Sequence, residues 1–434
     1  MPKLYGKCDR GHKLIARNGF PSKKRKIFYG YIVVAIALII TAAIYGTVFT
    51  FGVFIEPILA DFGWGSAVLS GSLSVAIFIS GFLGIFAGRL SDRFGPKKIV
   101  LACNLFFGLG YLLMSQVNSI WQLYLFFGVF VGIGMSAGIA PLQSTVVKWF
   151  IEKRGLMVAI SLMGMTGGNM IMPPIANWLI LLHGWRIAFI ILGTVSFAIV
   201  FVVSLFLKSS PAQIGQVPYG AEDMDGNEST PRHITGLSFR ESLYTTQLWL
   251  LCAFFFCISF AHLIIMTHIV PHAINQGISP TISASILVVI GVAATAARIP
   301  VGFLADRIGI RKTAIIIIAL WMSSYVWISL TGDSVWSLFT FAVIVGLASS
   351  SLDILLALFV SDIFGMIALG TSIGFVNSIL QLGGATGPVI SGLIFDSTGS
   401  YHSSFVLCTI ASAIAITILT LLKPIKLANT LADG

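Results

Sequence analysis

Apolar runs long enough to cross a bilayer recur along the whole chain, and little else about it is so restrictive. A hydrocarbon core roughly 30 Å thick is spanned by about 20 helical residues. Runs of that kind cover approximately 28–54, 67–90, 99–116, 121–147, 156–181, 187–208, 245–271, 281–304, 313–331, 335–360, 370–394 and 402–422. With 57% hydrophobic and only 10% charged residues in a chain of 434, a soluble globular fold is excluded. The expectation is an all-α, polytopic membrane protein with twelve transmembrane helices in two six-helix bundles.

The formal charge of +10 would suit a nucleic-acid partner, but its distribution argues against one. Of the 26 Lys and Arg, all except Arg186 and Arg298 fall in the two tails or in every second loop. That asymmetry is the positive-inside pattern, which places both termini in the cytoplasm and leaves membrane lipids, anionic ones included, as the partners of the basic charge. Lys23, Lys24, Arg25 and Lys26 precede the first apolar run without a small-residue cleavage pattern, so that run reads as a membrane helix and not as a cleaved signal. Cys8, Cys103, Cys252, Cys257 and Cys408 are odd in number and lack ligand spacing; packing is expected of them, with no metal and no cofactor.

Residues 1–27 form a basic cytoplasmic tail, 28–208 an N-terminal six-helix bundle, 209–244 a cytoplasmic linker, 245–422 a C-terminal bundle and 423–434 a second tail. The linker is polar, with Glu222, Asp223, Asp225, Glu228, Pro211, Pro218 and Pro231. The halves repeat one another. GRLSDRFGPKK from Gly88 to Lys98 and GFLADRIGIRK from Gly302 to Lys312 share Gly, Leu, Asp, Arg, Gly and the final Lys at an offset of 214 residues, which Pro174 and Pro388 also keep. A parallel repeat of this kind builds carriers whose substrate site lies near the midplane between the halves.

Within the apolar runs a few polar residues stand out. Arg298 lies eight residues before Asp306, about 12 Å into the membrane at the helical rise. A buried arginine there costs at least about 2.5 kcal/mol, so it must face a cavity, a partner or an anion. Gly291 and Ala294 line the same helix face with small side chains. Two readings stand, a ligand-binding cation and a structural ion pair. Asp353, nine residues before Asp362, sits at a similar depth of about 13 Å. It is a candidate proton-coupling group or a fixed partner of Arg298. His262 is the second proton candidate, while His268 and His272 near the outer surface read as interfacial histidines, HIVPH lacking the glutamate of a zinc hydrolase site. Tyr45, Gln143, Asn169, Asn377 and Gln381 are able to hydrogen-bond a substrate or to hold helices together.

The G-x-L-x-D-R-x-G-x-x-K loop, present twice in a twelve-helix chain, identifies the sequence as a member of the major facilitator superfamily. That resemblance, over about residues 28–422, implies that Asp92, Arg93, Asp306 and Arg307 form charged latches that stabilise one access state. A narrower resemblance links FYGYIVVAIALIITAAIYGTVFTFGVFIEPILADFGWGSA from Phe28 to the opening of bacterial monocarboxylate and oxalate–formate carriers, and WFIEKRGLMVAISLMGMTGG from Trp149 to the entry to helix 5 in monocarboxylate carriers, and places Arg298 where that branch carries its carboxylate-binding arginine. The chain departs from the branch at Ala294, where animal carriers hold an acid, and at Phe49, where they hold a basic residue. It also lacks the second cation of the oxalate–formate exchangers between Gly370 and Ile394. One buried cation favours a monoanion. The expectation is therefore a monomeric carrier, not an enzyme, that moves a small organic monoanion such as lactate or pyruvate with protons across a bacterial inner membrane. Anion exchange, export of drugs or neutral solutes, and a non-transporting receptor are the alternatives.

Overall fold

The computed structural model describes residues 28–221, 236–331 and 334–422. The basic tails with Cys8 and Lys23 to Lys26, and the linker residues Glu222, Asp223, Asp225, Glu228 and Pro231, lie outside the described residues. Twelve helices long and apolar enough to cross a membrane follow in order: α1 (Tyr29–Phe62), α2 (Val68–Phe94), α3 (Pro96–Met114), α4 (Ile120–Trp149), α5 (Arg154–His183), α6 (Trp185–Ser204), α7 (Thr246–Asn275), α8 (Thr281–Ile308), α9 (Ile310–Leu330), α10 (Val335–Phe364), α11 (Leu369–Thr398) and α12 (His402–Leu421). Lipid-facing stripes follow helical spacing. Phe78, Phe82 and Phe86 of α2 recur every fourth residue and are all exposed, as are Trp178 and Leu181 of α5.

In the first half α1 runs along α5 and also touches α6, and α3 packs on α6; in the second, α7 lies along α11 and α12, and α8 along α10. Side chains tie the first group together: the Thr41 hydroxyl donates to the Ser161 carbonyl at 2.9 Å, and the Tyr111 hydroxyl to the Thr47 carbonyl at 2.8 Å. The halves meet along α2 with α11 and along α5 with α8. Both joints need bare backbone. A Cβ on Gly88 would run into the Gly370 carbonyl, and one on Gly155 would stand 2.6 Å from the Gly302 carbonyl. These contacts lie at the face that carries the 209–244 connection, here called the linker face. Toward the opposite face, a Cβ at Gly167 of α5 or Gly291 of α8 would meet no atom within 4 Å, so open space borders both helices there.

The connection between α6 and α7 is pinned at both ends. Ile151 and Glu152 donate their N–H groups to the Tyr219 carbonyl, and Leu237 donates to the Phe364 carbonyl. The loops before α5 and before α11 thus each hold one end of the linker. A short helix, Phe239–Leu243, then opens with a capping box of Ser238 and Glu241. Bonds from the Ser238 N–H and side chain hold the Glu241 carboxyl below its usual range.

Candidate functional site

Arg298 sits on the face of α8 that meets α5. Gly302, one turn on, lies against Gly155, and Ala305 and Asp306 continue the same stripe. The residue is 5% exposed, and its Nε and Nη1 have no hydrogen-bond partner among the described residues. Asp353 of α10 is its electrostatic neighbour, yet the ion pairs among the described residues are Lys148–Asp92 and Arg186–Asp61. Arg298 and Asp353 therefore act on each other through space without closing a salt bridge. Tyr45 of α1, from the other half, is a second electrostatic neighbour of Asp353. Cation, carboxylate and phenol converge where the halves face one another.

Two broken helices shape this site. α10 stops at Ser349 and restarts at Leu352, so that Asp353 lies in the first turn of its second segment, where a carboxylate suits the helix dipole. α4 is interrupted after Met135 and restarts at Ala140, with Gly138 against the Tyr45 ring. The breaks stand at corresponding places in the repeat. Discontinuous helices of this kind free backbone groups at the centre of carriers. Sequence reading did not find them, although Pro141 after Gly138 and the run from Ser349 to Ser351 were available signals.

The other candidate residues divide. Asn169, with its amide turned to satisfy its surroundings, donates to the Tyr45 carbonyl at 3.2 Å and so supports the turn that carries Tyr45. Gln143 is fully buried and accepts from the Ser161 hydroxyl at 3.2 Å, a tie between α4 and α5. Asn377 is buried on α11, whereas Gln381 lies over Gly81 where α11 crosses α2. His262 faces its own half, with Nδ1 3.5 Å from the Ser349 hydroxyl and its ring 5.7 Å from that of Trp321. His268 meets the Pro388 carbonyl at 3.0 Å, and His272 packs edge-on against Phe405. Asp61 at the end of α1 accepts from Trp185 Nε1 and Arg186 Nη1, at 2.8 and 2.9 Å, which explains the Gly-Trp-Arg turn.

At the linker face the repeated loops do parallel work. Asp92 of α2 accepts from the backbone N–H groups of Gly370 and Thr371, at 3.2 and 2.9 Å, at the start of α11. Asp306 of α8 accepts from Gly155 and Leu156, at 2.6 and 2.9 Å, at the start of α5. Each carboxylate satisfies otherwise unbonded first-turn donors of a helix in the other half, a charge–dipole contact across the joint. Arg93 is exposed, with its guanidinium 5.1 Å from the Phe94 ring, and Arg307 is exposed. Lys148 of α4, which sequence reading passed over, pairs with Asp92 at 3.3 Å.

Comparison with known proteins agrees with this architecture. The chain is 26% identical to Monocarboxylate transporter 13 of Rattus norvegicus, covering 87% of this chain and 85% of that protein. It is 23% identical to Monocarboxylate transporter 11 of Homo sapiens, covering 87% and 80%. Among solved structures, the fucose:proton symporter of E. coli superposes with a TM-score of 0.69 at 16% identity over 90% of this chain and 99% of that one. The human organic anion transporter MFSD10 gives 0.68 at 15% identity over 91% and 99%. The family model described as Major Facilitator Superfamily matches residues 37–297 and 249–432. With the twelve-helix fold, the repeated loops and that match together, the chain belongs to the Major Facilitator Superfamily.

Proposed function

We propose that this transporter moves a small organic monoanion, a monocarboxylate, by alternating access with proton symport. The observation that carries the reading is Arg298: a cation 5% exposed between the halves, with two nitrogens unpartnered among the described residues and Asp353 nearby but not bonded. An arginine fork in that state is prepared for a carboxylate, which it would bind bidentately. The relatives named as monocarboxylate transporters support the same substrate class. Tyr45 and Asn377 would add hydrogen bonds to the bound anion, with Gln381 at the edge of the site, while Asn169 and Gln143 would hold the helices that present it. One positive group suits one negative charge, and a proton taken with the anion keeps the cycle electroneutral. Asp353 is the proposed proton carrier because it shares the field of Arg298, which changes when an anion arrives; His262, next to Ser349 one turn before Asp353, is the alternative. In this reading the linker face is cytoplasmic, 28–208 and 245–422 are the rocking bundles, the Asp92 and Asp306 latches hold the outward-facing state, and the carrier works as a monomer in a bacterial inner membrane.

The test is uptake of labelled lactate, pyruvate, formate and oxalate into proteoliposomes, with and without an inward proton gradient. A monocarboxylate should accumulate with the gradient, and Arg298→Ala should lower its uptake by about tenfold to a hundredfold, as loss of a charge-assisted bond of about 1.5–3 kcal/mol requires. Asp353→Asn should abolish the gradient dependence and spare exchange. Uptake by Arg298→Ala equal to wild type would overturn the site, and gradient-driven accumulation by Asp353→Asn would remove that residue from proton coupling.

A further inference from the structure

A cavity of ~500 Å³ opens at the linker face where the two halves meet, away from Arg298. Its wall takes Arg154 from the first half, and Arg311, Lys312, Asp306 and Asp362 from the second, with Phe359 and Leu422 among its apolar residues. Three cations face two carboxylates, so the lining keeps a small net positive charge. Of the two acids, Asp306 is already engaged by the Gly155 and Leu156 N–H groups. Arg154 donates only Nε within the protein, to the Phe150 carbonyl at 2.9 Å, which leaves its terminal nitrogens without a protein partner among the described residues.

The repeat shows that these cations are unusual. Arg311 corresponds to Lys97 of the first half, whose Nζ donates to the Leu205 carbonyl at 2.8 Å and so caps the end of α6. Arg311 makes no hydrogen bond or ion pair among the described residues. The same wall includes the start of α9. Gly309, at φ +92°, turns the chain so that Ile310, Arg311 and Lys312 form the first turn, whose N–H groups have no intrahelical partner at the positive end of a long helix. A guanidinium from each half and a helix start therefore border one space. That is the chemistry of a bound oxyanion.

We propose that this cavity binds an oxyanion of the phosphate class, supplied as free phosphate or as the phosphodiester of an anionic lipid headgroup. The bound anion ties Arg154 to Arg311 and Lys312 across the joint, and so favours the arrangement in which α5 and α8 meet. The proposal is independent of which substrate is carried.

The full-length carrier in phosphatidylcholine nanodiscs tests it, with thermal unfolding followed in two arms: added inorganic phosphate, and phosphatidylglycerol mixed into the bilayer. The wild type and the control Lys97→Gln should gain several degrees in at least one arm, and the Arg311→Gln/Lys312→Gln variant should lose that gain. A response to inorganic phosphate assigns the soluble source, and a response to phosphatidylglycerol alone assigns the lipid. Where the double variant does not purify, Arg311→Gln and Arg154→Lys singly give the same reading. No response in either arm, or equal responses in wild type and variants, overturns the proposal. Uptake is not measured here, so this result and the transport test fail separately.

Discussion

The two latches are copies of one motif, yet they are built unequally. At the first, Asp92 has a side chain 12% exposed and accepts from two backbone N–H groups, from the Thr371 hydroxyl at 3.1 Å and from Lys148 at 3.3 Å. At the second, Asp306 is exposed, and the residue that corresponds to Lys148 at the repeat offset is Asp362, another acid. Arg154, reaching over from α5, lies in the field of both Asp306 and Asp362 without pairing with either. Repetition preserved the carboxylate and the helix start it serves. The neighbouring charge, which sets how strong and how screened the contact is, was free to diverge, so one joint is self-sufficient and the other borders a cationic cavity.

The largest expected effect comes from removing the bare backbone both joints depend on. Gly88→Val would push α2 off the Gly370 carbonyl; overpacking of this kind costs about 1–3 kcal/mol, so initial uptake rates should fall by roughly tenfold or more. Wild-type rates in that variant would mean that α2 and α11 need not touch in the cycle.

Next in size is the difference between the latches. Asp92→Asn should weaken closure of the linker face by about 1.5–3 kcal/mol, because a shielded charge loses several bonds at once. Asp306→Asn should cost about 0.5–1 kcal/mol, the range of a solvent-exposed charge at a helix start. Distances between spin labels at the linker-face ends of α5 and α8, and of α2 and α11, report the populations. Equal shifts would remove the asymmetry argued here.

The smallest effect isolates the cation. In a double-mutant cycle, Asp92→Asn and Lys148→Gln should couple by about 0.5–1 kcal/mol. Asp362→Lys should bring the second latch closer to the first, visible as a weaker salt dependence of the α5 to α8 distance. A coupling near zero would leave Lys148 as a bystander.

Most of the helices were legible because hydropathy over twenty residues reports a local cost, that of placing peptide and side chains in lipid. Their ends were less so. α1 is interrupted at Thr50, and its second segment, Phe51–Phe62, runs through Glu56, Pro57 and Asp61 beyond the apolar run, where Asp61 finds Trp185 and Arg186. Arg298 announced itself as a charge among alanines. Gln143 and Asn377 are both amides within apolar runs, but only the packing of α4 on α5 shows that Ser161 engages Gln143. The gaps in α4 and α10 were hidden because their residues are as apolar or as small as the helices around them.

By itself the sequence determined twelve membrane segments, an internal repeat and the signature that places the chain in its superfamily, all properties of spacing and composition along a line. Tertiary structure decided that Arg298 and Asp353 stay unpaired, that Lys148 completes one latch while Asp362 leaves the other open, and that Arg154 shares a cavity with Arg311. The physical reason is distance along the chain. Those pairs lie 55 to 157 residues apart, or turn on an ångström of separation, and neither hydropathy nor helical period carries information about how far one helix slides against another.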